Sequence, residues 1–552
     1  MSKYHVLFLL AAVLFGWMPA ISIWLNSPTL IGDEAYYARV PVEMRERGDW
    51  IVPYFNGEPR YKKPPLMYWL VALSQSAFGE NEFASRLPSF IAVVLTGFIL
   101  AWFGSKVGAV ETGLWAAAAF LLNPMTAVLG NWGAPEATLC LFVTASVLFG
   151  LLWLFNGSLR WLLLSGIAAG LGILTKGAPG LVLPILALLT ASVWEYLRQK
   201  KAEFGWNQLK RLSKHFGLWF ITCLSVAAPW FIAVWVYEGE KFWQVFLFRE
   251  HIQRVAEPME GHHGPIWFYL LVIWILFMPW SVCLPHAFAN AVKTFHHYPS
   301  FNSQSVDFTM AWWSFVVFMM FSLIATKLPH YIFPIFPAMA WLVASQIQRS
   351  LTESEFWIGL LLAFLPVPVL FFLAFAGTYA YTKFLTEMGF KPGLEVDAIR
   401  LATYTLLSGF ASVSLIWCLS KTQAIFFESG EFFEKRVLLL GGVILTIVTL
   451  VSVPIIIHAS GSRKAINTWT KFQDIATLGS DTEWSVFYAK RTVKMLGRKQ
   501  EELHNFLTKH PDTAILARVD FAPILKREGL VLKRFGIWCV ASKKEDKKGD
   551  GS

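Results

Sequence analysis

The chain has 552 residues, of which 55% are hydrophobic and only 15% charged, whereas an ordinary soluble domain carries about 25% charged residues. That composition excludes a soluble globular protein and predicts one that crosses a membrane repeatedly. The formal net charge of +10 is what lysines and arginines bordering apolar spans produce, and without any RNA- or DNA-binding signature no nucleic-acid partner is expected.

In chain order, Lys3 gives the first apolar run a charged start like that of a secretory signal. The run continues from Tyr4 to Leu25, longer than a signal core of about 7–15 residues and without a small-x-small cleavage site, so it reads as a retained span. At about 17–25 apolar residues per crossing, thirteen spans are predicted near 4–26, 82–104, 109–129, 137–155, 161–175, 178–196, 216–237, 266–289, 309–326, 330–348, 356–377, 399–419 and 437–458. The stretch 64–78, "PPLMYWLVALSQSAF", opens on Pro64-Pro65 and is too short to cross, so it should lie along the interface.

Arg198, Lys200, Lys201, Lys210, Arg211 and Lys214 crowd the connection 197–215, which predicts that this loop is cytoplasmic. Parity then places the loops 27–81 and 239–265, the turns at Glu136, Lys176 and Lys327, and everything after 459 on the opposite face. Residues 459–552 change character. A helical pattern at 463–478, a strand-like "WSVFYA" at 484–489, a polar helix at 499–509, and short strands in "TAILARV" and "GIWCVAS" separated by another helix predict a small α/β domain. Its charged tail, "KKEDKKGDGS", reads as disordered. The chain thus divides into a transmembrane domain, 1–458, and an extracytoplasmic domain, 459–552. Cys140, Cys223, Cys283 and Cys418 lie in apolar runs and Cys539 stands alone, so neither a disulfide framework nor a cysteine metal site follows.

Ionisable residues at membrane level are costly and ask for a partner or a task. Asp33 and Glu34, in "GDEAYYARV" with Tyr36 and Tyr37, sit just beyond the first span, where ordinary loop chemistry also explains acids. "RYKKPPLMYW" sets Arg60, Lys62 and Lys63 ahead of a rigid Pro-Pro start. Headgroup anchoring accounts for them, and phosphate binding by a held ammonium is the sharper reading. Glu136 opens a span, where an acid favours the helix dipole. Lys176 in "LTKGAPGLVLP" is either a snorkelling lysine or a site group. "FREHIQRVAEPMEGHHG" holds His251, Arg254, His262 and His263 with the carboxylates Glu250, Glu257 and Glu260, and a metal site there is only suggestive because the His262-His263 adjacency and the lack of His-x-x-x-His suit no regular helix. Lys327, His330 and Tyr331 crowd "KLPHYIFP".

Together, "GDEAYYARV", "GDWIVPYFNGEPRYKKPPLMYW", "LTKGAPGLVLP", "REHIQR" and "KLPHYIFP" resemble, in that order, the polyprenyl-phosphate-sugar glycosyltransferases of the GT-C superfamily, and within it the 4-amino-4-deoxy-L-arabinose transferases and the related protein mannosyltransferases. The resemblance runs from residue 32 to 334. It implies an all-α polytopic membrane fold of the GT-C type with about thirteen spans and the small α/β domain outside. It also implies that Asp33, with Glu34 and Glu136, is catalytic; that Lys63, Arg254, Lys327 and Tyr331 bind the donor phosphate; and that His251 lies in a loop supplying metal contacts, with zinc or magnesium as the divalent ion. Two departures stand out. Glu136 occupies a place where the family usually carries aspartate, and no carboxy-terminal carboxylate ligand is evident.

The implied function is transfer of a sugar, with inversion, from an undecaprenyl phosphate donor to lipid A or another cell-envelope acceptor, on the periplasmic side of a bacterial inner membrane. Cations would stabilise the leaving phosphate while a carboxylate serves the acceptor. A protein O-mannosyltransferase is the alternative. A transporter, from another class, would place its ionisable groups near midspan and show repeats; no repeat is found, and the notable charges gather at span ends.

Overall fold

The computed structural model describes residues 9–18, 20, 29–30, 32–198, 206–257, 263–294, 303–349, 431–459, 461–479 and 482–543. The predicted spans at 356–377 and 399–419, the charged tail and His262 lie outside the described residues. Among the described residues, five helices are long and apolar enough to cross a membrane: Glu82–Lys106, Pro135–Asn156, Leu159–Lys176, Ser213–Glu238 and Val306–Leu323. The protein is a multi-pass, mostly helical membrane protein. Helix Pro135–Asn156 has 72% of its apolar window buried and runs through the middle of the bundle. Helix Ser213–Glu238 has 28% buried and stands at the rim, with Ile221, Ile232, Trp235 and Val236 facing outward.

Two predicted spans are broken rather than straight. Val110–Leu121 and Pro124–Gly130 meet at 67°, and Phe268–Leu276 and Trp280–Lys293 at 118°. At the first break Asn123 serves both ends: its amide donates to Ala119 O and Phe120 O, and its carbonyl oxygen accepts from Thr126 N at 2.9 Å. Pro124, which has no N–H to give the preceding turn, opens the new helix. The Trp280 indole at the second break donates to Leu122 O at 2.7 Å, tying the two breaks together.

The loop between the first two predicted spans is structured. Helix Glu34–Arg47, a small hairpin of β1 (Tyr54–Phe55) and β2 (Glu58–Pro59), and helix Leu66–Phe78 follow one another. The last of these is the expected non-crossing segment, at thirteen residues, and it packs against Glu34–Arg47 and Glu82–Lys106.

The carboxy-terminal part holds a five-stranded sheet of β3 (Ile475–Leu478), β4 (Lys494–Leu496), β5 (Ala514–Arg518), β6 (Val531–Phe535) and β7 (Trp538–Ser542), in the order β4-β3-β5-β7-β6. Strand β3 runs parallel to β4 and β5, and β7 antiparallel to β5 and β6. Two local readings are corrected. "WSVFYA" is the helix Trp484–Ala489, because Trp484, Ser485, Val486 and Phe487 are all buried and the segment wedges between the sheet and helix Glu34–Arg47. The pattern over 463–478 splits into helix Ser462–Trp469 and strand β3, since Trp469 turns inward and its indole bonds Ala476 O and Ala514 O.

This part sits directly on the first loop. Ala35 packs in one apolar cluster with Trp469, Trp484 and Trp538. Asn56 pairs with the backbone of Val493 through two 2.8 Å bonds, donating to its carbonyl and accepting from its N–H. Tyr488 donates to Glu82 and accepts from Leu30 N, at 3.0 and 2.9 Å, and Arg463 pairs with Glu82.

Candidate functional site

Four of the polar stretches picked out in the sequence, together with Glu136, converge on one cavity of about 310 Å³. Lys63 arrives just ahead of Pro64-Pro65, which start helix Leu66–Phe78. Glu136 stands in the first turn of Pro135–Asn156, Lys176 is the last residue of Leu159–Lys176, and His330 and Tyr331 ride a 3₁₀ turn, Pro329–Ile335. Glu250, His251 and Arg254 come from a π-helical segment, Gln244–Gln253, and the turn after it, a rare helix type that recurs frequently at functional sites. The remaining wall is apolar, including Leu139, Val182, Met320, Phe321 and Ile324.

Glycines allow this convergence. Gly177, at φ +76°, turns the chain between Leu159–Lys176 and the following helix Ala178–Arg198, and a Cβ there would lie 2.6 Å from His251 Nε2. A Cβ on Gly180 would fall on the backbone of Gly172. The tight hairpin therefore delivers Lys176 to the cavity and brings His251 against the turn.

The charges form two linked groups. In one, Lys176 Nζ lies 2.8 Å from Glu136 Oε1 and 4.7 Å above the Tyr331 ring, and His330 Nε2 is 3.5 Å from the same carboxylate oxygen. In the other, Glu250 Oε2 bridges Lys63 Nζ at 3.3 Å and Arg254 Nη2 at 3.2 Å, while Arg254 Nη1 donates to Tyr331 Oη at 3.0 Å. Burial pushes the Lys63 ammonium down to about 8, against the pull of Glu250. Burial also opposes the Glu250 carboxylate, but Lys63 and Arg254 outweigh it and hold the group below the usual carboxylate range. Three cations and a phenol thus share a wall with hydrocarbon, an arrangement suited to an anionic headgroup carried on an apolar tail.

Asp33 is exposed at the start of helix Glu34–Arg47, close enough for its charge to act on Lys63. Glu34 has a different task from its neighbour. It is buried, receives Arg86 at 2.8 and 2.9 Å and Gly133 N at 2.9 Å, and pins the first loop to the bundle. Tyr36, Tyr37 and Arg60 build the layer beside the site: the Arg60 guanidinium sits 3.5 Å over the Tyr36 ring, and Tyr37 stacks on Tyr68 at 5.2 Å. Lys62 acts on Glu250 by its charge. The sequence reading that sends Lys327 to the phosphate meets a different geometry. Its ammonium is buried against Ser322 O and Ile324 O, capping helix Ser303–Leu323, as a lysine at a helix C-terminus favours. His263 is exposed and does not line the cavity. From the sequence, Glu250 stands only as one of three carboxylates for a metal site, not as a partner of the phosphate-binding cations. Its spacing of four from Arg254 is the signal, because that places both on one helical face.

The described residues lining the cavity do not gather as a ligand set for a divalent metal. Among the described residues no three His, Cys, Asp or Glu side chains come together as a ligand set. His251 Nδ1 is 2.6 Å from Phe246 O and its Nε2 accepts from Ala178 N at 3.2 Å, so both ring nitrogens are engaged. Glu136 and the bridging oxygen of Glu250 already face cations.

Residues 62–206 match the family described as dolichyl-phosphate-mannose-protein mannosyltransferase. The undecaprenyl phosphate-α-4-amino-4-deoxy-L-arabinose arabinosyl transferase of Edwardsiella ictaluri is 31% identical over 58% of this chain and 56% of its own length. Its counterpart in Aeromonas hydrophila is 29% identical over 70% of each. The match to relatives such as the Edwardsiella protein therefore spans little more than half their length. In fold, the chain is similar over its whole extent to the crystal structure of ArnT from Cupriavidus metallidurans bound to undecaprenyl phosphate, with a TM-score of 0.74, 20% identity and full coverage of both chains. The Archaeoglobus fulgidus oligosaccharyltransferase tethered to an acceptor peptide aligns at a TM-score of 0.53 and 12% identity, over 94% of this chain and 70% of that one. The sequence-derived resemblance and the GT-C type of fold are thus both found.

Proposed function

We propose that this protein is a membrane glycosyltransferase that moves a sugar from a polyprenyl phosphate carrier to a cell-envelope acceptor in the cavity bounded by Lys63, Arg254 and Tyr331. One observation carries the reading: Lys63, Lys176 and Arg254 line a cavity whose other wall is Leu139, Val182, Met320, Phe321 and Ile324. The names of the relatives make 4-amino-4-deoxy-L-arabinose on undecaprenyl phosphate the favoured donor, with lipid A as acceptor at the periplasmic face of the inner membrane. The match of residues 62–206 to the mannosyltransferase family supports a protein hydroxyl as the second choice of acceptor.

In this mechanism the acceptor oxygen attacks the anomeric carbon from the side opposite the phosphate, with inversion. The bond from that carbon to the phosphate oxygen breaks, and its electron pair leaves on the phosphate. Lys63 and Arg254, with the Tyr331 hydroxyl, meet the charge that develops there. Such charge-directed donors contribute most where water is excluded. Asp33, which is exposed, does not itself line the cavity and lies near enough for its charge to act on Lys63, orients the acceptor and, when that acceptor is a hydroxyl, takes its proton, a contribution of about 10²–10⁴-fold. Lys176 and Glu136 hold each other and the Tyr331 ring in place.

The test is transfer by the purified full chain, with undecaprenyl phosphate aminoarabinose and lipid A, read by mass spectrometry of both lipids. Sugar-bearing lipid A with release of undecaprenyl phosphate, abolished by Lys63→Ala, is expected. An intact donor after incubation with lipid and peptide acceptors alike would overturn the reading.

A further inference from the structure

Glu250 is the buried charge that the transfer mechanism leaves without a task. Its side chain is 1% exposed, yet it lines the cavity. One oxygen bridges Lys63 and Arg254 at 3.3 and 3.2 Å, while the other, Oε1, is buried without a hydrogen-bond partner. Buried polar atoms are almost always satisfied, and an exception at a cavity wall asks for an explanation. A phosphate oxygen seeking both Lys63 Nζ and Arg254 Nη2 meets Glu250 Oε2 already bridging them.

We propose that Glu250 is a built-in counter-ion of the leaving-phosphate site, which competes with phosphate for Lys63 and Arg254 and so limits retention of the lipid phosphate product. This rests on the reading of the cavity as a polyprenyl phosphate site.

Charge balance gives the reason. Lys63, Arg254 and Glu250 together carry one positive charge, Lys176 with Glu136 cancels, and Lys62 and Asp33, whose charges also act on this set, cancel each other. The donor is a phosphodiester with a single negative charge, which this set matches. When the anomeric carbon–oxygen bond breaks, the electron pair stays on the phosphate. The product is then a monoester approaching two negative charges, one more than the site balances. With Glu250 neutral, the site would carry two positive charges and match the product instead. Glu250 thus sets donor and product apart through the cations it touches, and it is a positioning residue rather than a catalytic one. Its place on the π-helical segment, four residues before Arg254, lets one turn carry both the cation and its competitor.

A purely structural role makes the opposite forecast. If Glu250 only held Lys63 and Arg254 in place, its removal would weaken phosphate binding. The experiment compares undecaprenyl phosphate affinity, by tryptophan fluorescence on the purified full chain, in wild type, Glu250→Gln, Glu250→Asp and Lys63→Ala. Glu250→Gln is expected to bind on the order of tenfold more tightly, about 1.4 kcal/mol. Product inhibition should strengthen in parallel, and kcat and KM should both fall. Glu250→Asp, which keeps the charge, should return toward wild type. Glu250→Ser gives the same sign test should the glutamine variant fold poorly. Weaker or unchanged binding in the charge-removing variants overturns the proposal, even where wild type binds and Lys63→Ala weakens binding. A wild-type chain that does not bind undecaprenyl phosphate overturns the site reading as well.

Discussion

Glu34 and Glu250 are both glutamates with side chains no more than 2% exposed, and both face an arginine. Their surroundings differ in one respect. Glu34 is saturated: Oε1 accepts from Arg86 Nε and Gly133 N, and Oε2 from Arg86 Nη2. Glu250 spends one oxygen on two cations and leaves the other unmet, at a cavity wall. Burial and an opposite charge therefore do not distinguish the carboxylate that holds the fold from the one proposed to serve a ligand; in this pair the difference is the second oxygen, bonded in Glu34 and unmet at the cavity wall in Glu250. Asp33 and Glu34 are adjacent in sequence but part in space, because helix Glu34–Arg47 starts between them, leaving Asp33 exposed and sending Glu34 inward; the proposed mechanism gives Asp33 the functional role.

The division predicts a graded set of outcomes. Asp33→Asn should lower transfer to a hydroxyl acceptor by roughly 10²–10⁴-fold with an unchanged thermal midpoint in detergent. A loss of folding instead would move Asp33 to the structural side. Glu34→Ala leaves Arg86 charged and buried, and should cost about 3–5 kcal/mol of stability, read as a lowered midpoint and a first loop open to protease. The same truncation at Glu250 opens into the cavity, where water replaces the carboxylate, and should cost about 1 kcal/mol. Equal losses at the two sites would erase the distinction.

The junction between the first loop and the carboxy-terminal sheet gives a smaller effect. Tyr488 bonds Leu30 N and Glu82, and Leu30 lies three residues ahead of Asp33. Tyr488→Phe should cost about 1–2 kcal/mol and lower kcat more than it raises KM, because it loosens the segment carrying Asp33 without touching the cavity. An effect confined to KM would speak against that coupling.

The smallest effect concerns pH. Burial leaves Lys63 at about 8, so its charge is present below that value and lost above it. Lipid phosphate affinity should therefore fall as pH rises through about 8, with a bound phosphate moving the midpoint upward. Lys63→Arg should flatten the profile, since arginine stays charged. The same profile in wild type and Lys63→Arg would assign the titration to another group.

Much of this arrangement was legible in the sequence, and the failures have physical causes. The order of apolar spans and the short Pro-Pro helix follow from hydropathy and length, and the cost of charge at membrane level draws attention to Lys63, Lys176 and Arg254, while the phosphate roles of Lys63, Arg254 and Tyr331 rest on the family resemblance. Lys327 met the same criterion, but free carbonyls at the end of Ser303–Leu323 took its ammonium, and capping of that kind depends on where the helix stops. "WSVFYA" carries β-favouring residues, yet burial on several sides made it a helix, a tertiary effect that local propensity does not encode. The sequence reading runs single spans through Asn123-Pro124 and Pro279; proline marks each break, but the bends of 67° and 118° come from packing, which the Trp280 bond to Leu122 ties together.

The central claim is that the cavity between Lys63, Arg254 and Tyr331 receives the lipid phosphate. A photoreactive undecaprenyl phosphate analogue, crosslinked to the purified full chain and mapped by peptide mass spectrometry, tests it directly. Labelling should fall on Val255, Met320, Phe321 or Ile324 and be lost in Lys63→Ala. Labelling confined to distant surfaces and indifferent to Lys63 would contradict the account.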